Sequence, residues 1–325
     1  MSKLATIYGG SGFVGRYIAR RLAKEGWRVR VAVRRPNEAM FVKPYGVVGQ
    51  VEPVLCNIRD DASVRSVAEG ADVVINCVGT FDARGPNNFQ AIQAEGAERI
   101  ARIAAALAVP HMVHISAIGA DAQGESEYAR SKAAGEAGVL AHMPGAMILR
   151  PSVVFGPEDQ FFNRFAGMTR TGPALPLVAA ETKFQPVYVD DVAHAAALGA
   201  MNGTGGTYEL GGPDVASFRD LMKLMLGVIQ RQRLIVNIPL WAGGLIAAGA
   251  NVANMLTMGL APMPITPDQV KSLRSDNIVS EGAKTFADLG ITPTAMEAVL
   301  PEYLWRFRPS GQYAAIKDSA KNLRS

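Results

Sequence analysis

Tyr128 and Lys132 are the residues whose types and spacing point most directly to chemistry. Positions four apart in a helix share one face, so the lysine ammonium is expected beside the tyrosine phenol. A neighbouring positive charge favours phenolate and should lower the phenol pKa from about 10 toward a range useful for proton transfer. Ser116 lies upstream, at the end of an apolar run predicted to be a strand. Its hydroxyl could polarise a carbonyl, so the three residues together could carry out proton transfer at a carbonyl.

A glycine-rich segment near the start indicates where a dinucleotide would bind. Gly9, Gly12 and Gly15 are spaced three apart, between an apolar run and an amphipathic segment. The first glycine allows a tight turn, the second lets the backbone approach a pyrophosphate, and the third permits close helix–strand packing. The N–H groups and dipole at the start of the following helix favour phosphates. We expect the phosphates to contact Gly9, Ser11, Gly12, Phe13, Val14 and Gly15.

Two arginines at the end of the second predicted strand indicate which dinucleotide is bound. An NAD site usually has a carboxylate here that accepts hydrogen bonds from the ribose 2′-OH. This chain has Arg34 and Arg35 instead, and the first carboxylate after the strand is Glu38. Guanidinium groups suit a 2′-phosphate because they form charge-assisted, often bidentate bonds. A solvated basic turn is the alternative, but the upstream glycine loop favours NADPH over NADH.

The ends of the later strands supply the other expected cofactor contacts. Asn57 can hydrogen-bond the adenine edge, whereas Asp60 is predicted to cap the next helix. The small Gly79 lets the backbone of the fourth strand lie against the cofactor. The further expected contacts are Asn57, Ile58, Val78, Gly79, Thr80, Ser116, Tyr128, Lys132 and Pro151.

Alternating strand and helix patterns must position these residues. Strands are predicted at 4–8, 28–33, 52–56, 72–78, 111–116 and 146–149, and helices at 13–24, 62–69 and 89–107. This alternation predicts an α/β fold, a Rossmann-like doubly wound parallel sheet with helices on both faces. The carboxyl ends of its strands then meet on one side, where the ligand crevice forms.

Beyond Pro151 the alternation stops, and a smaller interleaved C-terminal region is expected. We predict a Rossmann domain over residues 1–155, to which residues 185–202 return as a short strand and a helix with an aspartate N-cap. The smaller docking region is predicted over 156–184 and 203–305, followed by a basic tail over 306–325.

One stretch of the smaller region, residues 234–267, contains no charged residue. Its middle, 241–258, is predicted to be helical, with an apolar stripe and an opposite face that is polar but uncharged. A membrane span needs about 20 strongly apolar residues, and this stretch is rich in Gly, Ala and Asn. An amphipathic element at a membrane surface or protein interface is favoured, ahead of a buried helix pair and of a true span.

Composition excludes several classes of protein. Hydrophobic residues make up 49% of the chain and charged residues 19%, which argues against disorder. A net charge of +4 is compatible with an anionic membrane surface but is a weak nucleic-acid signal, so no nucleic-acid partner is expected. The two cysteines are expected to be free thiols, and the four histidines lack metal-binding spacing, so no metal site is expected. Because the glycine motif begins so early, we expect a bacterial cytosolic-side protein or one whose presequence has been removed.

These residues together resemble the extended and atypical branch of the short-chain dehydrogenase/reductase superfamily. The resemblance implies that Ser116 polarises a substrate carbonyl, that Tyr128 donates or takes the proton, and that Lys132 also binds the nicotinamide ribose. The runs 150–159, 162–166 and 185–192 are similar to a narrower family, the NADPH-binding accessory subunits of respiratory complex I of the alpha subcomplex subunit nine type, with their bacterial relatives.

The narrower resemblance implies a structural NADPH and docking on core subunits of the peripheral arm, near the quinone site and the anionic membrane surface. It places the protein peripherally, on the cytoplasmic face of the bacterial inner membrane or on the matrix side if mitochondrial. It includes the uncharged segment and a basic tail, here Arg306, Arg308, Lys317, Lys321 and Arg324. Members can retain Tyr-x-x-x-Lys, so the motif does not decide between catalysis and cofactor anchoring. A free-standing NADPH-dependent reductase or epimerase therefore stays open, as does, with least support, a redox-sensing regulator.

Overall fold

The apolar runs of the N-terminal half form a parallel sheet. Its strands are β1 (Leu4–Tyr8), β2 (Arg28–Val33), β3 (Val51–Leu55), β4 (Val73–Asn76), β5 (His111–Ile115), β6 (Met147–Pro151) and, later in the chain, β11 (Gly206–Leu210). Their order is β11-β6-β5-β4-β1-β2-β3, and every neighbouring pair is parallel. All residues of β1 and β4 are buried, as expected when helices cover both faces of a parallel sheet. The predicted α/β class is confirmed.

This computed structural model describes residues 2–80, 85–170, 172–239, 242, 266–309 and 311. Contacts divide the chain into two units. Unit 1 comprises residues 1–152, 189–211 and 279–293, and unit 2 comprises 153–188, 212–278 and 294–325.

The helices of unit 1 pack in two groups. They are α1 (Phe13–Lys24), α2 (Asp61–Ala68), α3 (Glu95–Ala106), α4 (Glu127–His142) and α6 (Val189–Asn202). Helix α1 packs with α6, whereas α3 packs with α2 and α4. A π-helical turn over Gln90–Ala94 precedes α3, so the helix predicted over 89–107 consists of two parts. Short 3₁₀ segments cover Pro36–Tyr45, Gly85–Asn87 and Ala287–Leu289.

Unit 2 has its own core and shorter strands. Its elements are β7 (Val154–Phe155), α5 (Phe162–Met168), β8 (Ala174–Val178), β9 (Lys183–Phe184), β10 (Val187–Tyr188), β12 (Ala216–Ser217), α7 (Phe218–Val228), β13 (Leu234–Ile238), α8 (Pro267–Ser272), α9 (Met296–Leu304) and a 3₁₀ turn over Trp305–Phe307. Apolar and aromatic side chains from α5, α7 and α9 fill this core. The strands form three two-stranded pairs, β7 with β10, β8 with β13 and β9 with β12.

The boundaries between the two regions differ from the sequence prediction. Strand β11, predicted to belong to the smaller region, pairs with β6 along its whole length and therefore belongs to unit 1. Residues 279–293 join it because Tyr208 bridges to Lys284 and Ser280 N–H donates to the Glu209 carboxylate. These partners lie far apart in sequence, where local patterns carry no information about pairing.

Two further predictions, about the N-cap of α6 and about the basic tail, need correction. Helix α6 begins at Val189, so Asp190 lies in its first turn instead of capping it, and its carboxylate forms a bidentate pair with Arg21 at 2.8 and 2.9 Å. The predicted basic tail begins within the folded part of unit 2. There, Arg306 bonds the side chain of Asn163 and Arg308 bonds the carbonyl of Val228.

The predicted helix over 241–258 lies outside the described residues except for Ala242. Among the helices that the structure describes, none has the length and apolar character needed to cross a membrane.

Candidate nucleotide-binding site

The glycine loop turns sharply out of β1 and leads directly into α1. Gly9 has φ +73°, a conformation that favours glycine, and its N–H donates to the carbonyl of Ala32 in β2. Gly12 is the N-cap of α1, is exposed, and no described side chain caps the helix. The first-turn N–H groups and the dipole of this twelve-residue helix therefore face the loop, where an anion is favoured.

Gly15 explains how closely the helix and loop approach each other. A Cβ at this position would lie 2.5 Å from the carbonyl oxygen of Gly9 and 2.8 Å from Cα of Gly10. These are backbone atoms and cannot move aside, so only glycine fits. The third glycine thus permits close packing, but against the loop after β1 and not against the strand that its spacing predicted.

Ser116 lies at the carboxyl edge of the sheet, immediately after β5. Its N–H continues the ladder by donating to the carbonyl of Leu149 at 2.7 Å. The residue is 4% exposed, and its Oγ has no hydrogen-bond partner among the described residues. A buried hydroxyl without a partner costs free energy, and polar groups of this kind call for a ligand, water or ion.

Tyr128 and Lys132 lie on one face of α4, as their spacing predicted. Lys132 is 6% exposed, and its Nζ donates to the carbonyl of Ile115 at 3.2 Å. The same Nζ lies 5.9 Å from the centroid of the Tyr128 ring. The Tyr128 ring also packs edge-on against Phe89 with centroids 6.0 Å apart. The helix therefore brings both residues beside the end of β5, next to Ser116.

The prediction that Lys132 lowers the pKa of Tyr128 is wrong for the chain by itself. Burial raises the pKa of Tyr128 to about 12. Burial also lowers the pKa of Lys132 to about 8, although Glu136 and Cys77 oppose that shift. The loss of solvation thus outweighs the nearby ammonium, and Tyr128 holds its proton at neutral pH.

Helix α4 is held against the π-helical turn by close packing and by Gln93. Gln93 is 2% exposed; its amide donates to the carbonyl of Thr80 at 2.6 Å and accepts from the Ser131 hydroxyl at 3.0 Å. A Cβ at Gly135 would lie 2.2 Å from the carbonyl oxygen of Gln93. Since Thr80 and Ser131 flank the site, the turn fixes the distance between the end of β4 and α4.

The two arginines after β2 are exposed. Arg35 forms a surface ion pair with Glu38 at 3.0 Å, whose side chains are 75% and 67% exposed. Such a pair contributes little to stability, so Arg35 can exchange it for a phosphate at small cost. Arg16 reaches back over the loop, where its guanidinium donates to the carbonyls of Ser11 and Gly12 and stacks on Phe41.

The other predicted contacts divide into backbone and side-chain positions. Val78 N–H donates to the side chain of Asn76, and Pro151 is buried at the end of β6. Asn57 is exposed and its Oδ1 accepts from the N–H of Arg59, whereas the Ile58 side chain is buried in the core cluster. Any contact of Ile58 with a nucleotide would therefore come from its backbone. Asp60 caps α2 as predicted.

These residues fit a dinucleotide on two observations. The glycine loop leaves a cradle at the uncapped start of α1 that suits a pyrophosphate. Ser116 supplies a buried hydroxyl that no described group satisfies, at the edge where the strands end.

Comparison with known proteins identifies the family. The sequence pattern of the NAD dependent epimerase/dehydratase family matches residues 5–211. The chain belongs to this family.

Two relatives of this chain are named for different roles. The mitochondrial NADH dehydrogenase [ubiquinone] 1 alpha subcomplex subunit 9 of Arabidopsis thaliana is 34% identical over 317 residues, which cover 95% of this chain and 79% of that protein. A ceramide reductase of Caulobacter vibrioides is 30% identical over 257 residues, covering 77% of this chain and 80% of that protein. Likeness within the family therefore includes both a respiratory subunit and an enzyme.

Solved structures of the epimerase/dehydratase type share the fold. The UDP-glucose 4-epimerase of Thermus thermophilus, in complex with NAD, aligns with a TM-score of 0.69 at 18% identity and covers 94% of this chain and 99% of that chain. At this identity the likeness shows the fold alone, a parallel sheet of the epimerase/dehydratase family.

Sequence reasoning missed several buried polar residues on the elements that form this candidate site. Asn76, Gln93 and His114 are buried, and their motifs are not distinctive. A polar residue inside an otherwise apolar strand or helix is the only available signal, and it does not reveal the partner. Arg16 carried a stronger signal, because it directly follows the glycine loop.

Proposed function

We propose that this protein is an accessory subunit of respiratory complex I that binds NADPH as a structural cofactor. The observation that carries the proposal is the 34% identity with the Arabidopsis subunit over 95% of the chain. The family pattern ends at residue 211, whereas this likeness continues through the residues of unit 2. Since docking surfaces vary more than folds, likeness over both units supports a shared role.

The cofactor assignment rests on charge at the end of β2. Arg34 and Arg35 are exposed there, and the first carboxylate after β2, Glu38, pairs with Arg35. No carboxylate stands at the position where an NAD site accepts a bond from the ribose 2′-OH. A 2′-phosphate would find two guanidinium groups, so NADPH is favoured over NADH.

The structural role of the cofactor rests on Tyr128 and Lys132. In the nucleotide-free chain, burial raises the pKa of Tyr128 to about 12, so its phenol holds its proton at neutral pH. Lys132 is fixed by its bond to the carbonyl of Ile115. These residues would hold ribose hydroxyls, which contributes binding energy without chemistry.

The expected place of the protein is the peripheral arm, near the quinone site and the anionic membrane surface. In this proposal it lies on the cytoplasmic face of a bacterial inner membrane, or on the matrix side in mitochondria. The uncharged segment supports this placement, because its described beginning, β13, exposes 69% of Leu234 and 40% of Val236. An exposed apolar strand is more consistent with a covered surface than with free solvent.

Isolation of the protein from its native membranes tests the proposal. After solubilisation in a mild detergent, the chain should migrate with the complex I subunits on a native gel and carry about one NADPH per copy. Quantitative recovery as a free protein after cell lysis without detergent would contradict membership of the complex. Bound nucleotide that is NAD would contradict the cofactor assignment alone.

The second candidate function is a free-standing NADPH-dependent reductase. The unpartnered Ser116 hydroxyl favours it, because a carbonyl oxygen would satisfy that group, and the Caulobacter ceramide reductase is 30% identical. NADPH, when bound, would supply a hydride at its nicotinamide ring. Ser116 would then orient the substrate carbonyl and Tyr128 would hold the proton.

Turnover measurements separate the two candidates. NADPH consumption is followed with a panel of carbonyl compounds that includes long-chain ketones, and compared between the native protein and Tyr128→Phe. Turnover that the variant abolishes would establish the reductase. No turnover, together with bound NADPH that exchanges slowly, would support the structural role.

A further inference from the structure

Two buried polar atoms lie on neighbouring positions of one strand face without a partner. Among the residues that the structure describes, these atoms are His114 Nε2 and Ser116 Oγ. Their residues are 2% and 4% exposed. Alternate residues of a strand point to the same face, and two residues of strand advance roughly 6.6 Å. Ser116 directly follows β5 and its N–H continues the ladder, so the two side chains lie on the same face of the sheet.

Hydrogen bonds around Asn76 determine which groups donate. The N–H of Val78 donates to Asn76 Oδ1 at 3.0 Å, so the other side-chain atom of Asn76 is its NH₂ group. This NH₂ lies 3.1 Å from Nδ1 of His114, its neighbour in the register of β4 and β5. Nδ1 must then accept, which leaves the ring proton on Nε2.

His114 stays neutral in this environment. Its imidazole is buried beside Lys132, and burial followed by that positive charge lowers its pKa to about 3. The Nε2–H group is consequently a buried donor in need of an acceptor. The Ser116 oxygen is the unpartnered acceptor on the same face.

We propose that Asn76 and His114 are positioning residues that orient the Ser116 hydroxyl toward the ligand of the site. His114 Nε2–H donates to one buried water, which donates to Ser116 Oγ. One water links two atoms about 5.6 Å apart with hydrogen bonds of about 2.8 Å each, and buried waters of this kind satisfy otherwise unpaired groups.

The consequence is a direction for the serine proton. A hydroxyl has one donor and two acceptor positions, so a bond received from the strand side turns the O–H outward. Ser116 then presents a donor to a carbonyl oxygen, of a nicotinamide carboxamide or of a substrate. The inference rests on the proposed function in taking that ligand to be a nicotinamide nucleotide or its substrate.

Nitrogen NMR of the full-length protein labelled in its histidines tests the relay directly. The chain contains four histidines, and the His114 signals are those that disappear in His114→Gln. We expect His114 as the Nε2–H tautomer, with an N–H signal that shifts in Ser116→Ala. Ser131→Ala is the matched control, because Ser131 is equally buried but bonds to Gln93, and it should leave the signal in place. An Nδ1–H tautomer, or a signal that Ser116→Ala does not move, would overturn the relay.

The rate of NADPH dissociation gives a second test, and it distinguishes a positioning role of His114 from a purely structural one. His114→Met removes the donor and should speed NADPH dissociation about three- to tenfold, the range expected for one neutral hydrogen bond. His114→Gln keeps an N–H near the same place and should restore slow release. In a Ser116→Ala background, His114→Met should add less than a twofold effect if it acts through Ser116. Equal effects in both backgrounds, or no rescue by glutamine, would refute the relay.

The two tests separate this inference from the proposed function. If the native protein binds no NADPH, the cofactor assignment of the proposed function fails, and the NMR experiment still decides the relay. If NADPH binds tightly and His114 has the wrong tautomer, only the relay fails. If His114→Met does not fold, the glutamine variant and the native spectrum carry the test.

Discussion

One buried polar side chain of unit 2 and two of unit 1 differ in whether their hydrogen bonds are complete. In unit 2, Asp159 is 2% exposed, and its carboxylate accepts three backbone N–H bonds and the Tyr303 hydroxyl at 2.5 Å. In unit 1, His114 Nε2 and Ser116 Oγ are equally buried and have no partner among the described residues. The hydrogen bonds of Asp159 are therefore complete. Those of His114 and Ser116, at the carboxyl edge of the sheet, are not.

The difference supports the proposal that the two open groups of unit 1 serve binding. Each unsatisfied buried group costs about 1–3 kcal/mol, so a chain keeps one only where a ligand or water later satisfies it. Asp159 joins the loop before α5 to Tyr303 of α9 and stabilises unit 2. The open groups of unit 1 lie on β5 and at its carboxyl end, the edge of the sheet at which β1 leads into the glycine loop.

Removal of the Asp159 carboxylate should break the complete network and have the largest effect. Asp159→Ala leaves three N–H groups and a phenol without an acceptor, so we expect a loss of roughly 3 kcal/mol or more in unfolding free energy. Tyr303→Phe removes one bond and should cost about 1 kcal/mol. Urea unfolding measures both. Asp220→Ala, at an exposed position of α7, is the control; a similar loss there would show that the effect is not specific to the buried network.

Acid should destabilise the protein through His114. Its pKa is about 3 in the folded chain and about 6.5 when unfolded. Between these values the unfolded state binds a proton that the folded state does not, so stability falls as pH falls below 6.5. The loss is up to about 1.4 kcal/mol per pH unit. From pH 7 to 4.5 the native protein should lose about 2–3 kcal/mol relative to His114→Gln, and a pH-independent difference in urea titrations would contradict a buried neutral imidazole.

Arg34→Ala tests a side chain of unit 1 that is expected to bind the ligand. Loss of a charged hydrogen bond to the 2′-phosphate should weaken NADPH binding by about 1.5–3 kcal/mol and leave NADH binding nearly unchanged. Calorimetric titration of both nucleotides measures the difference. Arg20→Ala, on the exposed face of α1, should change neither affinity. Equal affinity of the native protein for NADPH and NADH would refute the arginine argument.

Two serines in unit 1 give the smallest and most selective comparison. Ser131 bonds to Gln93, so Ser131→Ala should cost about 1 kcal/mol of stability. Ser116 has no protein partner among the described residues and, in the proposed relay, accepts only from a water, so Ser116→Ala should cost less stability than Ser131→Ala in the nucleotide-free protein. Thermal and urea unfolding of the two variants decide the point. Equal losses would mean that Ser116 already has a partner that serves folding.

Local patterns predicted the elements of the dinucleotide site well. The bounds of β1, β2 and α1 agree with the predicted ranges at every residue. These elements have strong apolar periodicity, and glycines mark the turns between them. The glycine spacing also predicted close packing at Gly15, although the structure shows it against the loop and not against a strand.

Properties that depend on burial or distant partners were beyond the sequence. The pKa of Tyr128 rises because the folded chain removes solvent, which no spacing rule reports. The pairing of β11 with β6 joins residues far apart in the chain, as does the ion pair of Arg150 with Glu209 at 3.5 Å. Gln93 lies in a π-helical turn, which has one more residue per turn than an α-helix. The apolar periodicity of the sequence does not reveal this extra residue.

Unit 1 is formed by three separate stretches of the chain, and this has a consequence for synthesis on the ribosome. Strand β6 ends at Pro151, but its outer neighbour β11 begins only at Gly206. Until the later strand emerges, the backbone groups of β6 form an unpaired edge, and edges of this kind recruit other chains. The nascent protein therefore needs shielding during that interval, and premature termination between these strands should yield aggregates instead of a smaller nucleotide-binding domain.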